Sequence, residues 1–230
     1  MGIIKRFIHK DHPDTTASKP EATDPGPANA QETGARFRIL TQRHIDALQS
    51  EQAENREAVI QELAAMGAPV VDELVPALEE WYQYSKSDAC SLVFRISVAR
   101  TLGLLGDARA INPLIKMADK VEKTLEHRKI AAESLARIGK PAFQPMLDLL
   151  QNGHPNDQQL SAWALGKMGN PKAVPYLIPL LSKQPFHYPH VRSAANKALI
   201  ELTGQNFGEN IELWEKWVNN NRGNKKSNIT

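Results

Sequence analysis

The pattern Leu-x-x-apolar-Gly occurs four times in this chain, at Leu63–Gly67, Leu102–Gly106, Leu135–Gly139 and Leu165–Gly169. A fifth copy, Leu199–Gly204, carries one extra residue, and successive glycines stand 39, 33, 30 and 35 residues apart. Such a period means that one short supersecondary unit is built again and again. Eleven residues before the glycine stands Arg56, Arg95 or Arg128, with Gln158 in the fourth unit; Arg192 takes the place in the fifth once its extra residue is discounted. Small residues fill the stretch between, as in "SVART", "IAAES", "LSAWA" and "SAANKA".

The physics of one unit follows. A helix A ends at the glycine, which enters the left-handed region without a Cβ penalty. Asp107 has the side chain to cap the next turn. Pro76, Pro113, Pro145 and Pro175 follow the glycines. Proline lacks an N–H, which places each in the first turn of a helix B, with "DARAI" as a 3₁₀ lead-in. The Gly67–Pro76 spacing is nine, against seven or six elsewhere, so the first unit is the least regular. A helix pair of about 30 residues cannot bury its apolar face alone, so the units must stack. The expected fold is an all-α, right-handed α-solenoid, an armadillo-type superhelix of about five helix pairs. Phe37, Ile39, Leu40, Ile45 and Leu48 predict an extra N-terminal capping helix over 37–50. Trp214, Trp217 and Ile211 predict a capping helix at the other end.

The units "VRSAANKALIEL" and "LGLLGDARAINPLI" resemble bacterial HEAT-like repeats of the type also found in phycobilin lyase subunits. The resemblance covers about residues 52–218. It implies a solenoid and, as an activity, attachment or detachment of a bilin chromophore on phycobiliproteins.

Outside the repeats the composition changes. Residues 1–10, "MGIIKRFIHK", put Ile3, Ile4, Phe7 and Ile8 on one helical face and Lys5, Arg6, His9 and Lys10 on the other. That amphipathic segment suits weak membrane-surface contact or docking on a protein. Gly2 acylation is disfavoured by Arg6 where the pattern wants Ser or Thr. Residues 11–35 are rich in proline and small polar residues and read as a disordered linker. Residues 36–218 read as the repeat domain and 219–230 as a disordered polar tail. Net charge is +2 with both signs interspersed, which argues against nucleic acid as the partner. One cysteine, Cys90, excludes an internal disulfide and points to a reducing compartment. No signal peptide or membrane span is read, so the expectation is a cytoplasmic protein, at most peripheral at a membrane.

The chain shows no constellation for catalysis. It has no Gly-rich phosphate loop, His-Glu-x-x-His or nucleophile elbow, and no cofactor or metal is expected. His127, His154, His187 and His190 fall near the starts of helices A and would share one edge, which ordinary surface histidines also do. The repeat arginines are expected to pair with acidic or carbonyl groups of adjacent units, Asp107 among them, rather than to form a basic stripe. The function expected is therefore a non-enzymatic scaffold or adaptor binding another protein. Two long aromatic connections offer anchors: Trp81, Tyr82 and Tyr84 in one, Phe186 and Tyr188 in the other. Exposed helix B positions add Lys116, Asp119, Lys120, Gln144, Asp148, Gln151 and Lys183.

Overall fold

The computed structural model describes residues 27–48, 52–84, 89–120, 125–182 and 188–224. The chain divides into two compact units, Met1–Arg36 and Phe37–Thr230. In the first, the described residues are 27–36, the opening turns of helix α1 (Pro27–Ala47). The amphipathic segment 1–10 lies outside the described residues. Helix begins at Pro27, inside the stretch read as a disordered linker, because a proline at the first helical position loses no hydrogen bond.

The second unit contains the rest of α1 and five helix pairs: α2 (Ala53–Met66) with α3 (Val71–Tyr84), α4 (Ala89–Leu105) with α5 (Ile111–Lys120), α6 (Leu125–Ile138) with α7 (Lys140–Asn152), α8 (Pro155–Lys167) with α9 (Val174–Leu177), and α10 (Pro189–Thr203) with α11 (Ile211–Asn224). The described residues contain no strand. The first helices of the pairs form one row, α2 on α4, α4 on α6, α6 on α8 and α8 on α10. Helices α3, α5, α7 and α9 each pack on the first helix of the following pair. This is the all-α solenoid that the period predicts.

Small side chains set the spacing of the first row. A Cβ on Gly103 would stand 2.7 Å from the Ser134 Cα, and one on Gly166 would stand 2.9 Å from the Ala198 Cα. Both are closer than packed atoms tolerate, so α4 on α6 and α8 on α10 approach backbone to backbone. The leucines that open the repeat motif, Leu63, Leu102, Leu135, Leu165 and Leu199, are all fully buried. They join one continuous core with Leu74, Leu114, Met146 and Leu177 from the second helices.

The corners come in two forms. At Gly106 and Gly169 an Asp or Asn follows the glycine; its carbonyl accepts the N–H of Ala110 or Ala173 at 3.1 Å. Its side chain accepts the N–H of Arg109 at 2.9 Å or of Lys172 at 3.1 Å. At Gly67 and Gly139 that residue is missing. The glycine carbonyl itself accepts the N–H of Val70 at 3.1 Å or of Ala142 at 3.0 Å. The shorter corner puts Gly139 at φ 74°, ψ −126°, a region essentially reserved for glycine.

The prolines correct the expected register. Pro113 and Pro175 sit in the first turns of α5 and α9, but Pro76 and Pro145 are the sixth residues of α3 and α7. The carbonyls that lose a donor there belong to Asp72 and Pro141, both exposed residues within reach of water. Pro179 follows Pro175 by four residues and cannot donate to its carbonyl. Helix α9 accordingly stops at Leu177 and tightens into a 3₁₀ turn, Ile178–Leu181.

The ends differ from expectation in extent. Thr41 and Ile45 of α1 and Leu48 just after it are buried, whereas Ile39 and Leu40 are 57% and 47% exposed. Helix α11 continues to Asn224, into the stretch read as a polar tail, and the Asn221 side chain donates to the Trp217 carbonyl at 2.8 Å. Trp214 is fully buried. Its indole N–H donates to the Gly208 carbonyl at 2.9 Å, and its ring meets Phe207 edge-on at 4.8 Å.

Candidate functional site

Trp81, Tyr82 and Tyr84 belong to the last turn of α3 rather than to a connection, because the apolar period of α3 runs through them. The side chains of these three residues lie outside the described set, as do Lys183, Phe186 and the side chain of Lys120. Tyr188 stands immediately before α10 and is 55% exposed. Lys116 on α5 is engaged within the solenoid, its ammonium 3.2 Å from Glu79 of α3. Asp119 and Gln151 are exposed near the ends of α5 and α7. Gln144 donates to Asp148 one turn on, at 2.8 Å. The structure thus spreads these residues over several units instead of gathering them at one place.

A groove of about 1390 Å³ in the second unit is built from three elements. Helix α7 contributes Lys140, Phe143, Gln144 and Leu147. The corner before α9, and α9 itself, contribute Asn170, Lys172, Val174, Pro175 and Tyr176. Helix α11 contributes Trp217, Val218 and Asn221. Tyr176 is 41% exposed in the groove, and Trp217 is half-buried. Of the described residues expected from sequence to bind a partner, Gln144 lines this groove. Lys140, Lys172 and Tyr176 were missed, and Trp217 was expected in a capping helix rather than at a binding site; no local sequence signal brings the four together.

A second, smaller hollow of about 500 Å³ lies along α2 and α4. Its charged lining is Glu54, Glu57 and Glu126 against Arg56 and Arg100, and Arg100 and Glu57 meet at 2.8 Å.

Of the repeat arginines, Arg128 bridges to the next unit, whereas Arg192 pairs within its own. Arg128 of α6 donates to the Gln159 side chain of α8 at 3.1 Å, and Arg192 lies 3.4 Å from Glu209. Arg95 is buried on α4. Asp107, expected to serve such an arginine, is held instead by Arg109, whose Nη2 donates to it at 2.8 Å. Arg109 also reaches across to the preceding corner, donating to the Ala68 carbonyl at 3.0 Å and pairing with Asp72. The hydrogen bonds from Arg109 hold the Asp107 carboxyl below its ordinary range.

The histidines do not share an environment. His127 is buried within α6, and burial, aided by the Arg95 charge, lowers its pKa to about 4. His154 precedes α8, and its N–H donates to Asp157 at 3.2 Å. His190 lies in the first turn of α10, its pKa lowered by burial, and His187 is outside the described residues. Among the described residues no group of three or more His, Cys, Asp or Glu side chains is arranged to hold a metal ion. None of the described helices is long and apolar enough to cross a membrane.

No curated protein matches the sequence. Among solved structures it is similar to the complex of CpcE and CpcF of phycocyanin lyase from Nostoc sp. PCC7120, at 26% identity and a TM-score of 0.43. That match covers 72% of this chain and 65% of the other, so the chain spans just under two thirds of its length. The sequence itself matches HEAT repeats over residues 79–157 and 143–207. These two stretches take in α4 to α10 and more than half of the chain: it belongs to the HEAT-repeat family.

Proposed function

We propose that this HEAT-repeat protein is a non-enzymatic scaffold that binds another protein, and that the groove between α7 and α11 is where it does so. The observation that carries this reading is the groove's lining. It combines the exposed Tyr176 with the half-buried Phe143, Trp217 and Val218, and has polar groups at the rim. Exposed aromatics in a concavity are what protein interfaces use as anchors. The single cysteine favours a reducing compartment for the complex. The test is affinity purification of the full chain against Tyr176→Ala with Trp217→Ala, both checked for an unchanged melting temperature. A partner identified by mass spectrometry with the parent and lost with the variant is expected. The same partner recovered equally with both would exclude the groove.

The resemblance of "LGLLGDARAINPLI" to the repeats of phycobilin lyase subunits supports a second reading, a lyase-like subunit acting on phycobiliproteins. Co-expression with a bilin and an apo-phycobiliprotein separates the two. Pigment transfer would favour the second, and its absence the scaffold.

A further inference from the structure

Two seams of the solenoid occupy equivalent places and differ in charge. The small buried residue that closes each corner, Val70, Ala110, Ala142 or Ala173, gives the register. Counted from it, Ala68 and Asp72 of the first unit correspond to Lys140 and Gln144 of the third. Likewise Asp107 and Arg109 of the second correspond to Asn170 and Lys172 of the fourth. At the first seam one cation, Arg109, meets two carboxylates, Asp72 and Asp107. At the second, both carboxylates have become amides, the isosteric Asn170 in place of Asp107 and the longer Gln144 in place of Asp72, and there are two cations.

The amides keep the local structure. Asn170 accepts the Lys172 N–H as Asp107 accepts that of Arg109. What is gone is the negative charge. No ion pair involves Lys140 or Lys172 among the described residues, and no carboxylate lines the groove. The nearest acid along α7, Asp148, is one turn away and accepts from Gln144. Two ammonium groups therefore border an apolar floor; Lys172 lacks the carboxylates that its counterpart Arg109 has, and Lys140 adds a charge where Ala68 has none.

Resting on the reading of the groove as a protein-binding site, we infer that its occupant is an acidic segment of the partner carrying an aromatic or large aliphatic residue. The segment's carboxylate takes the place that Asp72 and Asp107 hold in the first seam, next to Lys140 and Lys172. Its apolar side chain rests on Tyr176 and Trp217. A free inorganic anion would use the lysines but leave the apolar floor uncovered.

The test is panning a random-peptide display library on the full chain, on Tyr176→Ala, and on a charge-reversed Lys140→Glu, Lys172→Glu variant, each shown to melt as the parent does. The parent should enrich peptides that join Asp or Glu to an aromatic residue, and the charge-reversed variant should enrich Lys or Arg instead. The best parental peptide should bind Lys140→Gln, Lys172→Gln roughly three- to tenfold more weakly at low salt, a gap that closes as salt is raised. Enrichment that depends on Tyr176 but shows no acidic preference would overturn this inference and leave the groove reading standing. No Tyr176-dependent enrichment would overturn both.

Discussion

Gly139 and Gly204 both lie at positive φ, yet they answer to different constraints. Gly204, at φ 69° and ψ 3°, occupies the left-handed helical region that Asn also visits, so Gly204→Asn should cost under about 1 kcal/mol. Gly139 lies where any side chain is strained, and Gly139→Ala should cost about 1–3 kcal/mol in urea unfolding. His127 makes a separate prediction. Its folded pKa, about 4, lies below the ordinary 6.5, so the unfolded chain binds the proton first as pH falls. Stability at this site is full above pH 6.5 and is lost progressively down to about pH 4. His190, shifted in the same direction, adds to the slope. In His127→Gln, denaturation midpoints measured across that window should vary less with pH than in the parent. An unchanged slope would remove His127 from the account.

The corners and the row of small residues act at the level of elements. Asp107 ties its own corner to the one before it by holding Arg109, which reaches Ala68 and Asp72. Asp107→Ala removes the cap to the Arg109 N–H, and a loss of about 1–2 kcal/mol is expected by urea titration. Because the Asp107 carboxyl is held below its ordinary range, its contribution should fade as pH drops through that lowered value. Gly103→Ala attacks the contact of α4 with α6, and overpacking there should cost about 1–3 kcal/mol with no change in helix content by circular dichroism. Both forms of the corner produce the same hydrogen bond to a small buried residue. The repeat can thus drop one residue in its first and third units without disturbing the stack.

Across the second unit, stability is a sum of neighbour contacts rather than of long-range ones. Helix α11 covers the last pair through Trp214, Trp217 and Ile211. Trp214→Ala should cost about 3–5 kcal/mol locally. Amide hydrogen exchange should rise first in α10 and α9, which adjoin it, and last in α2 and α4. Uniform acceleration throughout would mean that the repeats unfold as one block. The period, the corner glycines and the terminal tryptophans were legible in the sequence. Backbone conformation, packing period and apolar ends are local properties that each residue type announces. Helix extents were less legible, since "EEWYQY" reads equally as a helix end or a connection, and Pro76 and Pro145 sit deeper in their helices than proline chemistry alone suggests. The groove was not legible at all. Lys140, Lys172, Tyr176 and Trp217 come from α7, the corner and first turn of α9, and α11, and only the folded chain lines one groove with them. The sequence by itself determined that helices would pair, turn at glycines and stack. Only the tertiary structure decided which side chains share a hollow and which lysines lack a carboxylate, because those facts depend on distance between residues far apart in the chain.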